Sequence, residues 1–243
     1  MSQRIGNLLD DQHVVIFGGS SGIGLGAAEQ AKNQGATLTL IGRNHEKLTQ
    51  AAERVGGAHT AVADITDRAA VERVFGNMKR VDHLVITSGS FTTGKITDTD
   101  PDTLLRALDE RIAGPLYAIK AVLPLFAQHG SITLMGGQLS DRPMGSGVAV
   151  LSAAVRGIEA LAGALALELK PIRVNVVAPG FTDTPLFDAF GEQGKALLQQ
   201  VAASLPVGRV GRAEEIGAAI LFMMTNAYVN GEVLHVDGGG RLI

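Results

Sequence analysis

The sequence predicts an α/β fold: a single-domain, doubly wound, seven-stranded and mostly parallel sheet with helices on both faces. Three observations carry this expectation. Short β-branched runs alternate with longer helical patterns along the whole chain. Glycine supplies 31 of the 243 residues, as tight turns and close helix-strand approaches require. No linker, repeat or low-complexity tract interrupts the alternation, so residues 1–243 read as one domain, with 46% hydrophobic residues to build a single core.

Strands are expected near residues 13–17, 37–41, 59–63, 83–87, 131–135, 173–178 and 232–237. Helices are expected near 22–34, 44–55, 67–78, 101–127, 148–169 and 212–224, each placed as a right-handed crossover between parallel strands. Gly35 follows the first helix, Thr66 is positioned to cap the third, Pro101 opens the fourth after Asp100, and Pro171 blocks continuation of the fifth. Residues 179–194 form the one long irregular region, where a loop covering a substrate would fit.

Composition removes several function classes. Cysteine is absent, which excludes disulfides and thiolate chemistry, and the six histidines show no paired ligand spacing, so no metal site is expected. A formal net charge of -3 with scattered basic residues lacks the single-sign footprint of nucleic-acid recognition. The opening MSQRIGNLLDDQ has no secretory apolar run, and the apolar helix near 148–169 is interrupted by Arg156, Glu159 and Glu168. A cytoplasmic protein with no membrane partner is expected.

The first strand runs into VVIFGGSSGIG, placing Gly18, Gly22 and Gly24 between an apolar strand and an alanine-rich helix. Backbone must turn tightly there, and the helix N-terminus makes an anion site suited to a pyrophosphate, the arrangement of a Rossmann dinucleotide fold. The second strand ends in LIGRN, where Gly42 offers no carboxylate to repel a 2′-phosphate while Arg43, with Ser20 and Ser21 opposite, can bind one. These residues favour NADP(H) as cofactor.

The spacing of Gly18, Gly22, Ile23 and Gly24 resembles the TGxxxGIG motif of the short-chain dehydrogenase/reductase family, with Phe17 in the usual threonine place. Asp64, followed by Ile65, resembles that family's adenine-contacting aspartate. RVNVVAPG, residues 173–180, is similar to its sixth-strand signature, and NGEVLHVDGGG to its last strand. The resemblance spans essentially the whole chain. It implies hydride transfer between NADP(H) and a small carbonyl or alcohol, a homo-oligomer (dimer or tetramer), and cofactor contacts from Ser88, Gly89, Pro179, Gly180, Thr182 and Thr184.

The family's reaction also uses a tyrosine with a lysine four residues later to move the proton. No such pair exists here. The two tyrosines, Tyr117 and Tyr228, are followed four residues on by Ala121 and Glu232. Setting residues 150–169 on the family's fifth helix puts Ala149 and Ala153 at the tyrosine and lysine positions, Gly136 or Gly137 at the serine position, and Arg111 at the helix-four asparagine position. Ile86, Thr87, Ser88 and Gly89 stand in place of the family's NNAG.

No catalytic residue is assigned from the sequence. Tyr117 with Lys120, Ser140, Asp141, Ser146 and Ser152 are the side chains left that could carry a proton, and each also reads as ordinary helix or loop polarity. Arg111 is expected either to turn inward, pairing with Asp141 or an anionic ligand, or to lie solvated on its helix. Conventional catalysis is expected to be impaired or lost. The alternative is a catalytically silent NADP(H)-binding sensor or an assembly subunit.

Overall fold

The computed structural model describes residues 7–243 apart from 144, 146 and 189. Ser146 and the first six residues of the opening segment therefore lie outside the described residues. Seven strands form one parallel sheet: β1 (His13–Phe17), β2 (Thr37–Gly42), β3 (His59–Val62), β4 (Val81–Ile86), β5 (Phe126–Met135), β6 (Arg173–Pro179) and β9 (Val233–Val236). Their order is β3-β2-β1-β4-β5-β6-β9, with every neighbouring pair parallel. Two short strands, β7 (Thr182–Asp183) and β8 (Gly211–Arg212), pair outside it.

Both faces of the sheet are buried because its side chains alternate between two apolar layers. In β1, Val15 and Phe17 enter one core and Val14 and Ile16 the other. The first core is closed by α3 (Arg68–Phe75), α5 (Gly114–Val122) and α6 (Ala149–Glu168), and the second by α1 (Gly22–Asn33), α2 (His45–Arg54) and α9 (Ala213–Thr225). Helices α1 and α9 cross closely: a Cβ on Gly217 would stand 2.6 Å from the Gly26 carbonyl carbon. That contact fixes where the N-terminus of α1 lies.

Three details correct the sequence reading. The helix expected over 101–127 is instead α4 (Pro101–Leu108), a π-turn (Asp109–Ala113), α5 and a 3-10 turn (Leu123–Leu125), and Phe126 already belongs to β5. Pro115 has no N–H for the carbonyl four residues back, and Pro124 removes another, so a continuous α-helix cannot run through. Thr66 does not cap α3; Asp67 does, accepting from the Ala70 N–H at 3.0 Å, while Thr66 donates twice to Asp64.

Residues 179–194 are also less irregular than expected. They hold β7, α7 (Pro185–Asp188) and the start of α8 (Gly191–Ser204). Only Gly194 of α8 is buried, so this helix has no broad apolar stripe to reveal it in the sequence.

Candidate functional site

The winding direction reverses between β1 and β4, and a cleft of about 340 Å³ opens at their C-terminal ends, where such sheets take ligands. Hydrogen bonds pin its floor. Thr87 donates through its N–H at 2.9 Å and its hydroxyl at 2.8 Å to the Phe17 carbonyl, and the Gly18 N–H donates to Ile41 at 2.8 Å.

Glycine sets the close approach above that floor. At Gly18, with φ +81°, a Cβ would lie 2.6 Å from Thr87 Oγ1 and 2.9 Å from the Ser88 nitrogen. On Gly24 it would fall on the Gly18 carbonyl oxygen and 2.5 Å from Thr87 Oγ1. Bare backbone at both positions draws the first turn of α1 down to the strand ends, leaving its N–H groups facing the cleft. That turn holds no acidic residue, and the Ser21 hydroxyl makes no capping bond. An anion is favoured there by partial positive charge.

Most residues singled out from the sequence meet in this cleft. Gly18, Ser20, Ser21, Gly22, Ile23, Gly24, Arg43, Asp64, Ile65, Ser88, Gly89 and Thr184 all line it. Pro179, Gly180 and Thr182 do not. They form the end of β6 and the start of β7, where the Gly180 N–H donates to Val236 and the buried Thr182 hydroxyl donates back to the Gly180 carbonyl.

At the outer end, Arg43 is 69% exposed and its Nη1 lies 3.9 Å from Asp64 Oδ2. Burial alone would raise the Asp64 carboxyl, but hydrogen bonds from the Thr66 N–H and hydroxyl, with the Arg43 charge, bring it below its ordinary value. Lys47 also lines the cleft, so the positive charge opposite Ser20 and Ser21 is double. The sequence reading missed Lys47, whose signal was its place four residues past Arg43 in the opening of α2. It also missed Ser90 and Glu110, which line the inner end. No local pattern announces those two.

The wall made by β5 and α6 differs. Ala149 and Ala153, set at the tyrosine and lysine positions from the sequence, are exposed. Leu151 and Val155 are buried in an apolar cluster with Leu139, Ala107 and Phe91, and neither lines the cleft. Val155 Cγ1 would stand 3.7 Å from a Cβ on Gly137, an ordinary contact, whereas a Cβ on Gly136 would press on Val176 Cγ1 at 2.8 Å. Of the two glycines, Gly137 is the one with room for a side chain.

The remaining proton-carrying candidates are not assembled here. Tyr117 packs against the core behind α3, and Lys120 is exposed. The Ser140 hydroxyl donates to the Gly137 carbonyl at 3.0 Å, and the buried Ser152 hydroxyl has no partner among the described residues. Asp141 does not meet Arg111, which rules out one of the partners weighed for it from the sequence. It accepts from Arg156 at 3.0 Å and sits 2.7 Å from His235 Nε2. Arg111 does turn inward, with a side chain 15% exposed.

Comparison with known proteins matches the geometry. A family model described as enoyl-(acyl carrier protein) reductase matches residues 18–240. The chain is 32% identical over 241 residues to the 3-oxoacyl-(acyl-carrier-protein) reductase of Homo sapiens, and 34% identical over 241 residues to that of Bos taurus. Each alignment covers 96% of this chain and 99% of the relative.

Among solved structures it is similar to a short chain dehydrogenase/reductase family protein, with TM-score 0.85 and 30% identity over 97% of this chain and 99% of the other. A small-chain dehydrogenase in complex with NADPH gives 0.84 and 33%, over 96% and 100% of the two chains. The MalC Reductase/Diels-Alderase of Malbranchea aurantiaca gives 0.90 and 25%, over 97% and 98%.

Proposed function

Because the chain belongs to the short-chain dehydrogenase/reductase family, we propose that it binds NADP(H) in the β1–β4 cleft beside a small carbonyl or alcohol ligand, with the family's conventional proton relay lost and turnover impaired. The observation that carries this reading is the contrast within one cleft. Its cofactor wall is built from glycine and cations, while the positions of the proton relay carry Ala149, Ala153 and Gly136 or Gly137.

The residues fit the cofactor. Gly18 and Gly24 leave the space that a Cβ would fill, so a pyrophosphate can approach the first turn of α1. Arg43 and Lys47 supply charge for a 2′-phosphate, and Gly42 offers no competing carboxylate. Asp64, held ionised by Thr66 and Arg43, accepts hydrogen bonds from an adenine amine. When bound, NADPH supplies a hydride; the protein's part is to orient the ligand and to move the proton. Alanine and glycine have no proton to give, and losing a general acid costs about 10²- to 10⁴-fold in rate.

The test is to titrate NADPH and NADH against wild type and Arg43→Ala, then assay a panel of small ketones and aldehydes. NADPH should bind more tightly than NADH, and Arg43→Ala should weaken NADPH alone. One charge-assisted bond contributes about 1.5 to 3 kcal/mol, and the exposure of Arg43 places the expected loss near the lower end, about tenfold. Equal affinities for the two cofactors in wild type would overturn the NADP(H) assignment. Fast turnover across the panel would overturn the impaired relay. Binding without any turnover would favour a silent sensor or assembly subunit.

A further inference from the structure

Among the described residues, Arg111 is the inward cation at the inner end of the cleft, and they do not satisfy it. The π-turn at Asp109–Ala113 sets its direction, since one extra residue in a turn rotates every following side chain. Its guanidinium lies against the backbone of Gly89, where a Cβ would come within 3.1 Å of both Cζ and Nη1. Burial pulls its pKa down, offset in part by Glu110.

Glu110 is nevertheless a poor partner. Its Oε2 stands 3.9 Å from Arg111 Nη1 and already accepts from the Ser90 N–H and hydroxyl, each at 2.6 Å. Arg111 Nη1 and the Ser88 hydroxyl are both buried without a hydrogen-bond partner among the described residues. The two line the same pocket of about 40 Å³, walled by Met135, Gly136 and Ile158, which shares Thr87, Ser88, Gly89 and Glu110 with the main cleft. That volume exceeds what a single water needs, so a small polar group of a ligand can enter.

We propose that Arg111 and Ser88 form a subsite for a carboxylate or carbonyl oxygen of a molecule bound in the cleft. The subsite rests on the reading of the cleft as a cofactor and small-ligand site. It places a cation at the ligand end on the β4–α4 side. A buried guanidinium with an unmade bond is stabilised by an acceptor that brings its own charge, and a neighbouring hydroxyl adds a second donor in fixed geometry. Two sources can bring that oxygen: the second ligand, or the nicotinamide-riboside end of the cofactor.

The experiment separates them by binding alone. Acetoacetate and the neutral methyl acetoacetate are titrated calorimetrically into wild type, Arg111→Met and Ser88→Ala, with and without NADPH. NADPH and 2′,5′-ADP, which lacks the nicotinamide riboside, are titrated into the same proteins, and thermal unfolding confirms that each variant folds.

A second-ligand subsite predicts tighter binding of acetoacetate than of its ester in wild type, and loss of at least about tenfold for acetoacetate in Arg111→Met. A cofactor subsite predicts the same loss for NADPH with 2′,5′-ADP unchanged. Ser88→Ala, the smaller change, should move the same ligand in the same direction, and it serves as the test if Arg111→Met does not fold. Unchanged affinity for all four ligands in the folded variants overturns the subsite. Failure of wild type to bind NADPH or 2′,5′-ADP overturns the cofactor reading instead, and the acetoacetate titration without NADPH still decides the subsite.

Discussion

The two walls of the cleft work by different means. On the α1 side recognition is made of backbone: Gly18 and Gly24 bring N–H groups to the strand ends, and side chains add only charge at the rim. On the α6 side the family's chemistry depends on particular side chains, and this chain has Ala149, Ala153, Gly136 and Gly137 there. The comparison teaches that a cofactor site and a proton relay make different demands on a chain. The first needs room for main chain, the second needs particular acids at particular positions.

Closing the room on the first wall should have the largest effect. Gly24→Ala puts a methyl group onto the Gly18 carbonyl, a backbone atom that cannot swing aside. NADPH affinity should fall by a hundredfold or more, on the order of 3 kcal/mol, with about 1 to 3 kcal/mol of folding stability lost to overpacking. Cofactor titration and denaturant unfolding measure both. Unaltered NADPH binding would mean that the cofactor does not rest on this wall.

The second wall is tested by adding chemistry to it. Ala149→Tyr, Ala153→Lys and Gly137→Ser together add a phenol, a cation and a hydroxyl at the positions of the family's relay, and carbonyl turnover should rise by about 10²-fold. Ala149 and Ala153 are exposed, so stability should change by no more than about 0.5 kcal/mol at each. Steady-state assays on the folded triple variant decide it. No gain would show that the walls differ in geometry as well as in side-chain identity.

The opposite end of the sheet provides a control region, with a smaller effect. His83 is buried on β4, its Nδ1 2.8 Å from the Ser131 hydroxyl and its Nε2 2.6 Å from Gln12 Oε1. Burial lowers its pKa to about 4; the Arg173 charge lowers it further and Asp82 opposes the shift. The unfolded chain takes up this proton near pH 6.5, while the folded chain refuses it until about pH 4. Stability is therefore complete above pH 6.5 and declines as pH falls toward 4, by up to roughly 1.4 kcal/mol per unit. Denaturant unfolding of wild type and His83→Gln across that range checks it. An unchanged slope in His83→Gln would place the acid sensitivity elsewhere, and Gly24→Ala should leave the slope intact.

Legibility followed the same division. The glycine turn, Arg43 and Asp64 were readable because each sits at a strand end, where the chain itself dictates what is adjacent. Ser90 and Glu110 were not, since a loop and a π-turn bring them to the cleft from separate parts of the chain. The helix α8 was not readable, having almost no buried side to show.

By itself the sequence determined the seven-stranded sheet, the bare-backbone cofactor turn and the absence of a tyrosine-lysine pair. All of these follow from local spacing or from counting. Only the tertiary structure decided that Leu151 and Val155 pack with Leu139 and Phe91, that Asp141 belongs to Arg156 and His235, and that Arg111 is buried with an unmade bond beside Ser88. Those facts depend on helix phase and on which distant elements pack together. Both are set by the summed burial of the whole core and by the proline-broken turn before α5.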